Sequence, residues 1–126
     1  MEDVSVELKT ESIKSLQSTI KKSEKALAQM SQKGANTTLI KKRLMALRIS
    51  LAVLDNIWNQ GSNNYSHNDL VETRNIITEL IPSIEDIYSK LKTGSPQRTL
   101  LERRIKALDL AVKAIDDLSN ETNFVG

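Results

Sequence analysis

The stretch TLIKKRLMALRISLAVLDNIWN, residues 38–59, returns as TLLERRIKALDLAVKAIDDLSN, residues 99–120, at a constant offset of 61. Seven positions are unchanged between the two: Thr38/Thr99, Leu39/Leu100, Arg43/Arg104, Ala46/Ala107, Leu47/Leu108, Asp55/Asp116 and Asn59/Asn120. The same offset carries Leu16 onto Ile77, Ile20 onto Ile81, Glu24 onto Glu85, Leu27 onto Tyr88 and Met30 onto Leu91, so what recurs is a whole helical hairpin. A lone hairpin leaves its apolar stripe in water, and two packed face to face bury it. The chain therefore reads as a single all-α domain over residues 1–126. Its expected architecture is a four-helix up-down-up-down bundle made of two repeated helical hairpins, 13–59 and 74–120.

Apolar spacing places the four helices. Ile13, Leu16, Ile20, Leu27 and Met30 mark the first, with Ser23 at the one missing step. The second carries Ile40, Leu44, Leu47, Leu51, Leu54 and Trp58, the third Ile77, Leu80, Ile84, Ile87 and Leu91, and the fourth Leu101, Ile105, Leu108, Val112 and Ile115. All keep the 3.5-residue period of knobs-into-holes packing. Gly34 and Gly94 read as the left-handed residues that end the first and third helices, and Ser95-Pro96 as the N-cap and first residue of the fourth. Tyr65-Ser66-His67-Asn68-Asp69-Leu70 reads as a helix start with Ser66 and Asp69 in a capping box and Tyr65 stapled on Leu70. Pro82 falls inside the third helix and is expected to kink it.

Composition narrows the class. One Trp, two Tyr, one Phe and four Gly argue against a β-sandwich. The absence of cysteine excludes disulfides, thiolate metal sites and cysteine nucleophiles. No apolar run reaches the ~18 residues of a membrane-spanning helix, and the start MEDVSVELKTES lacks a secretory pattern, so a cytoplasmic location is expected. The glycosylation-like triplets at Asn36, Asn64 and Asn120 then read as chance.

Catalytic motifs do not emerge. GxxxxGK[ST], GxGxxG and HExxH are missing, and no Glu-x-x-His pair offers a metal site to a bundle core. His67, the one histidine, reads as an exposed residue at the start of a helix. Asp55 and Asp116 flank the core seam and read as solvated caps or ion pairs. Trp58, whose offset counterpart is Ser119, reads as closing one end of the core. No enzyme activity, cofactor or metal is expected.

Charge is the feature that points to a surface. The net charge of +2 conceals segregation: Lys14, Lys21, Lys22, Lys25, Lys33, Lys41, Lys42, Arg43 and Arg48 are set against the single acid Glu24 between positions 14 and 48. Arg98, Arg103, Arg104 and Lys106 open the fourth helix. Cations near helix N-termini oppose the helix dipole by about 0.3–1 kcal/mol each, yet Lys41-Lys42-Arg43 and Arg103-Arg104 occupy that place in both copies. An up-down bundle brings both clusters to one basic end, where Glu79, Glu85 and Asp86 would partly offset them. Lys41, Lys42, Arg43, Arg98, Arg103 and Arg104 are the candidate contacts for an anion or a partner, with Arg43 and Arg104 expected to be exposed.

The segment GSPQRTLLERRIKALDLAV, with its echo GANTTLIKKRLMALRISLAV, resembles part of a group of small uncharacterised helical proteins from low-GC Gram-positive bacteria and their phages. It is also faintly similar to the four-helix bacteriocin immunity proteins. The resemblance implies a phage or prophage origin and no activity. The expected function is a non-enzymatic protein–protein interaction module, in which a homodimer is compatible. The alternatives are nucleic-acid binding through phosphate contacts at the basic end and an immunity-like role on anionic lipid.

Overall fold

The computed structural model describes residues 4–59 and 65–125, the side chains of residues 120–125 excepted. Four helices account for nearly all of it: α1 (Val6–Gln32), α2 (Thr38–Trp58), α3 (His67–Lys90) and α4 (Pro96–Val125). Among the described residues there is no strand.

Local chemistry sets most helix ends. Leu8 donates its backbone N–H to Ser5 Oγ at 3.1 Å, capping α1. At the other end Gly34 adopts φ +69°, which releases its N–H to the Ser31 carbonyl at 3.2 Å and that of Ala35 to the Met30 carbonyl at 2.9 Å. That pair of bonds is a Schellman closure, and it needs the left-handed conformation glycine adopts most readily. In α3 the expected capping box is present: Asp69 N–H donates to Ser66 Oγ at 3.1 Å and Ser66 N–H to Asp69 Oδ2 at 3.3 Å. Tyr65 and Leu70 on either side both join the core, and His67 stands exposed as the first residue of α3. Ser95 Oγ accepts the Arg98 N–H at 3.2 Å, with Pro96 first in α4.

Two expectations fail at the end of α3. Gly94 does not terminate that helix, because the backbone of Leu91 already turns extended (ψ 148°) and its N–H closes on the Tyr88 carbonyl at 3.2 Å. Gly94, at φ +85°, instead forms the corner of a turn in which Ser95 N–H meets the Lys92 carbonyl at 3.1 Å. Ile87, placed in the core by its heptad position, is 54% exposed. Pro82 leaves α3 continuous from His67 to Lys90. It sits on the exposed side of the helix, where water can take over the Thr78 carbonyl that proline cannot donate to.

The core lies between α2 and α4. Leu44, Ala46, Leu47, Ile49, Ser50, Val53 and Leu54 are buried on α2, and Ala107, Leu108, Leu110, Ala111, Ala114 and Ile115 on α4. Those sets go beyond a heptad stripe. Ala46 and Ser50 on one helix and Ala107, Ala111 and Ala114 on the other are small, so two helices packed through them can approach closely. Leu16 and Ile20 of α1 and Leu70, Ile77 and Ile84 of α3 cover the pair from the sides. The backbones of α1 and α3 stay more than 8 Å apart throughout the described residues. Arg48 donates to Glu24 at 2.7 Å between α2 and α1, and Arg74 pairs with Asp116 between α3 and α4.

Candidate functional site

The six candidate cations do not gather on one surface. Lys42 and Arg43 line a groove of about 390 Å³ between α2 and α3, whereas Arg103 and Arg104 line one of about 400 Å³ between α4 and α1. Lys41 is exposed on α2. Arg98 has structural work at the α3–α4 turn: its guanidinium lies 4.2 Å over the Tyr88 ring and donates to the Leu91 carbonyl at 2.8 Å.

The two grooves correspond position by position at the offset of 61. Leu39, Lys42 and Arg43 match Leu100, Arg103 and Arg104, and across the groove Val71, Glu72, Asn75, Ile76 and Glu79 match Thr10, Glu11, Lys14, Ser15 and Ser18. Leu39 and Leu100 are 59% and 49% exposed, so the same apolar side chain stands open at two matched places.

Charge separates the twins. The α2–α3 groove sets Lys42 and Arg43 against Glu72 and Glu79. In the α1–α4 groove Lys14, Lys22, Arg103 and Arg104 face the one acid Glu11, which stands 3.9 Å from Arg103. Lys14 and Lys22 make no ion pair among the described residues. Arg104 departs from the exposed state expected of it: the side chain is half-buried and its Nε is buried without an acceptor. Burial pushes its pKa below the usual guanidinium value, although an arginine stays charged at any physiological pH. Arg43 is half-buried too. A partly desolvated cation whose Nε has no acceptor, lining a groove with three further cations, suits an anion.

On the other side of the Glu11–Arg103 contact lies a roomier groove of about 550 Å³, where Glu11, Glu102 and Asp109 outnumber Arg103 and Lys106. Asp55 and Asp116 do not meet. Asp55 accepts from Asn59 Nδ2 at 2.6 Å and Asp116 from Arg74. Trp58 packs half-buried against the core and borders a groove of about 510 Å³ with Val6 and Ile13. Among the described residues no three His, Asp or Glu side chains gather to hold a metal, and no helix is long and apolar enough to cross a membrane.

Sequence reasoning missed Lys14 and Lys22 as partners of the α4 arginines, because the meeting of α1 with α4 has no periodic signature. Leu39 and Leu100 did carry a signal, being invariant between the copies while sitting one residue off the heptad stripe. The chain matches no protein-family model, and no curated protein or solved structure is significantly similar to it.

Proposed function

We propose that this chain is a non-enzymatic protein–protein interaction module, a duplicated helical hairpin working in the cytoplasm, that grips a partner along the grooves beside Leu39 and Leu100. The exposure of those two leucines carries the reading. Single exposed leucines are ordinary on protein surfaces. The same leucine at two matched places, each bordering a groove with an arginine in it, combines an apolar centre with the one cation enriched at interfaces. Duplication is supported by the matched grooves and by buried pairs such as Ala46/Ala107, Leu47/Leu108 and Val53/Ala114. Antiparallel packing within each hairpin is supported by Glu24 with Arg48 and Arg74 with Asp116, which join residues on either side of each turn; between the hairpins the expected up-down order is not followed, because the start of α2 lies beside the first half of α3 and the start of α4 beside the first half of α1.

Phosphate-backbone binding is the second reading, favoured by the four cations of the α1–α4 groove. Against it, Glu72 and Glu79 interrupt the continuous cationic surface that a duplex would track. A bacteriocin-immunity-like role and a phage or prophage origin rest on the resemblance of residues 94–112 and their echo at 34–53 alone.

A photo-crosslinking residue placed at position 39 or 100 tests the proposal, with exposed Lys113 as the control position. Adducts to a protein from both groove positions and none from 113 are expected. Adducts to nucleic acid alone, or equal labelling from all three, would overturn it. Four or five phosphate contacts would also give mixed-sequence DNA a slope near −4 in log affinity against log salt, which this reading does not expect.

A further inference from the structure

We infer that the α1–α4 groove is an acidic-segment site: it receives a stretch of a protein partner that carries at least two carboxylates next to an apolar side chain. The inference rests on the protein-interaction reading and names what the partner presents.

The twin groove is an internal control for it. At matched positions the α2–α3 groove has Val71, Asn75, Ile76 and Glu79, and the α1–α4 groove has Thr10, Lys14, Ser15 and Ser18. Each difference replaces an apolar, neutral or acidic side chain with a hydroxyl or a cation. Both grooves keep the leucine and the half-buried arginine, so the framework is shared while the lining of the α1–α4 groove becomes more polar and more positive. The two differences that alter charge, Asn75/Lys14 and Glu79/Ser18, both make the α1–α4 groove more positive, unlike a solvated face, where signs are mixed.

Arg104 adds a demand for an acceptor. Its Nε is buried and bonds to nothing, and the nearest acid lining the groove, Glu11, is set against Arg103. Because Arg104 lines the groove, an entering carboxylate would pair with the outer N–H groups of its guanidinium while Nε stays covered. Lys14 and Lys22, about 12 Å apart along the α1 axis at 1.5 Å per residue, are placed for a second one. Leu100, half exposed on the same groove, covers an apolar neighbour.

That compactness selects a peptide over a duplex. The site is confined to residues 10–22 of α1 and 100–104 of α4, while the other basic cluster, Lys42 with Arg43, faces its own glutamates in a separate groove. A duplex tracking both clusters would meet those glutamates.

The test uses the full chain and a fluorescein-labelled peptide of Glu residues around a central Leu, with a Lys version, mixed-sequence duplex DNA and phosphatidylserine vesicles as comparison probes. Anisotropy is read at about 50 mM and about 200 mM salt, where exposed charge contacts are strongly and weakly felt. The Glu peptide is expected to bind and to weaken with salt. Lys14→Glu with Lys22→Glu, both exposed, should lower its affinity by about tenfold or more, and Lys41→Glu with Lys42→Glu by less than about twofold. Far-UV circular dichroism verifies that both variants stay folded. Equal losses from the two pairs, or tighter binding of DNA or vesicles than of the Glu peptide, would overturn the inference. A protein crosslink at position 100 with no Glu-peptide binding removes the acidic-segment inference and leaves the interaction reading in place; loss of both removes both.

Discussion

Ser50→Ala should make the protein more stable. Ser50 is fully buried on α2, its Oγ has no hydrogen-bond partner, and its offset counterpart on α4 is the equally buried Ala111. A buried hydroxyl left unsatisfied costs about 1–3 kcal/mol. Alanine is also the better helix former, by up to about 0.7 kcal/mol. Opposing both is the packing lost with one oxygen atom, below about 1 kcal/mol because the void is smaller than a methyl group. The net is a gain of roughly 1–2 kcal/mol. With an unfolding entropy of about 2.1 cal/mol/K per residue, a chain of 126 residues gains about 4–8 °C in Tm. The reciprocal change, Ala111→Ser, should lose a similar amount. Equilibrium urea unfolding at constant m-value, with calorimetry for Tm, measures both. A less stable Ser50→Ala, or a neutral Ala111→Ser, would show that this layer supplies the hydroxyl with a partner and would refute the reasoning.

Leu47→Asp and Leu108→Asp each place an unpaired carboxylate in the central layer, since both leucines are buried. Each should cost more than about 4 kcal/mol and leave no cooperative transition by urea unfolding. Gly34→Ala should cost about 1–2 kcal/mol although a Cβ there meets nothing within 4 Å, because the strain lies in φ +69° alone; thermal unfolding reads it. The Arg74–Asp116 pair is 43% and 42% exposed, so a double-mutant cycle should return only weak coupling that fades as salt is raised.

Helix starts and the α1 terminus were legible because they are local. Ser66 with Asp69, Ser95 with Pro96, and Gly34 each act within a turn or two of themselves. The end of α3 was not, since Leu91 leaves the helix before Gly94 can act. A heptad count also sees only large apolar residues. It found Leu47 and Leu108 but passed over Ala46, Ser50, Ala107 and Ala111, small residues that are just as buried. It equally mistook Ile87 for core, because α3 flanks the bundle and has no fourth side to bury. The candidate site was half legible. Charge segregation singled out Arg103 and Arg104, yet their pairing with Lys14 and Lys22 depends on where α1 meets α4, and Arg104's burial on the packing around it. Offset identity held more than was read from it, since Leu39 and Leu100 recur where no core demands them.

The most direct measurement is an amide chemical-shift map of the full, isotope-labelled chain titrated with the Glu-rich peptide. The account predicts shifts concentrated in residues 10–22 of α1 and 100–104 of α4, with the matched residues 39–43 and 68–79 of the twin groove unmoved. Shifts centred on the twin groove, or spread evenly over both, would contradict it.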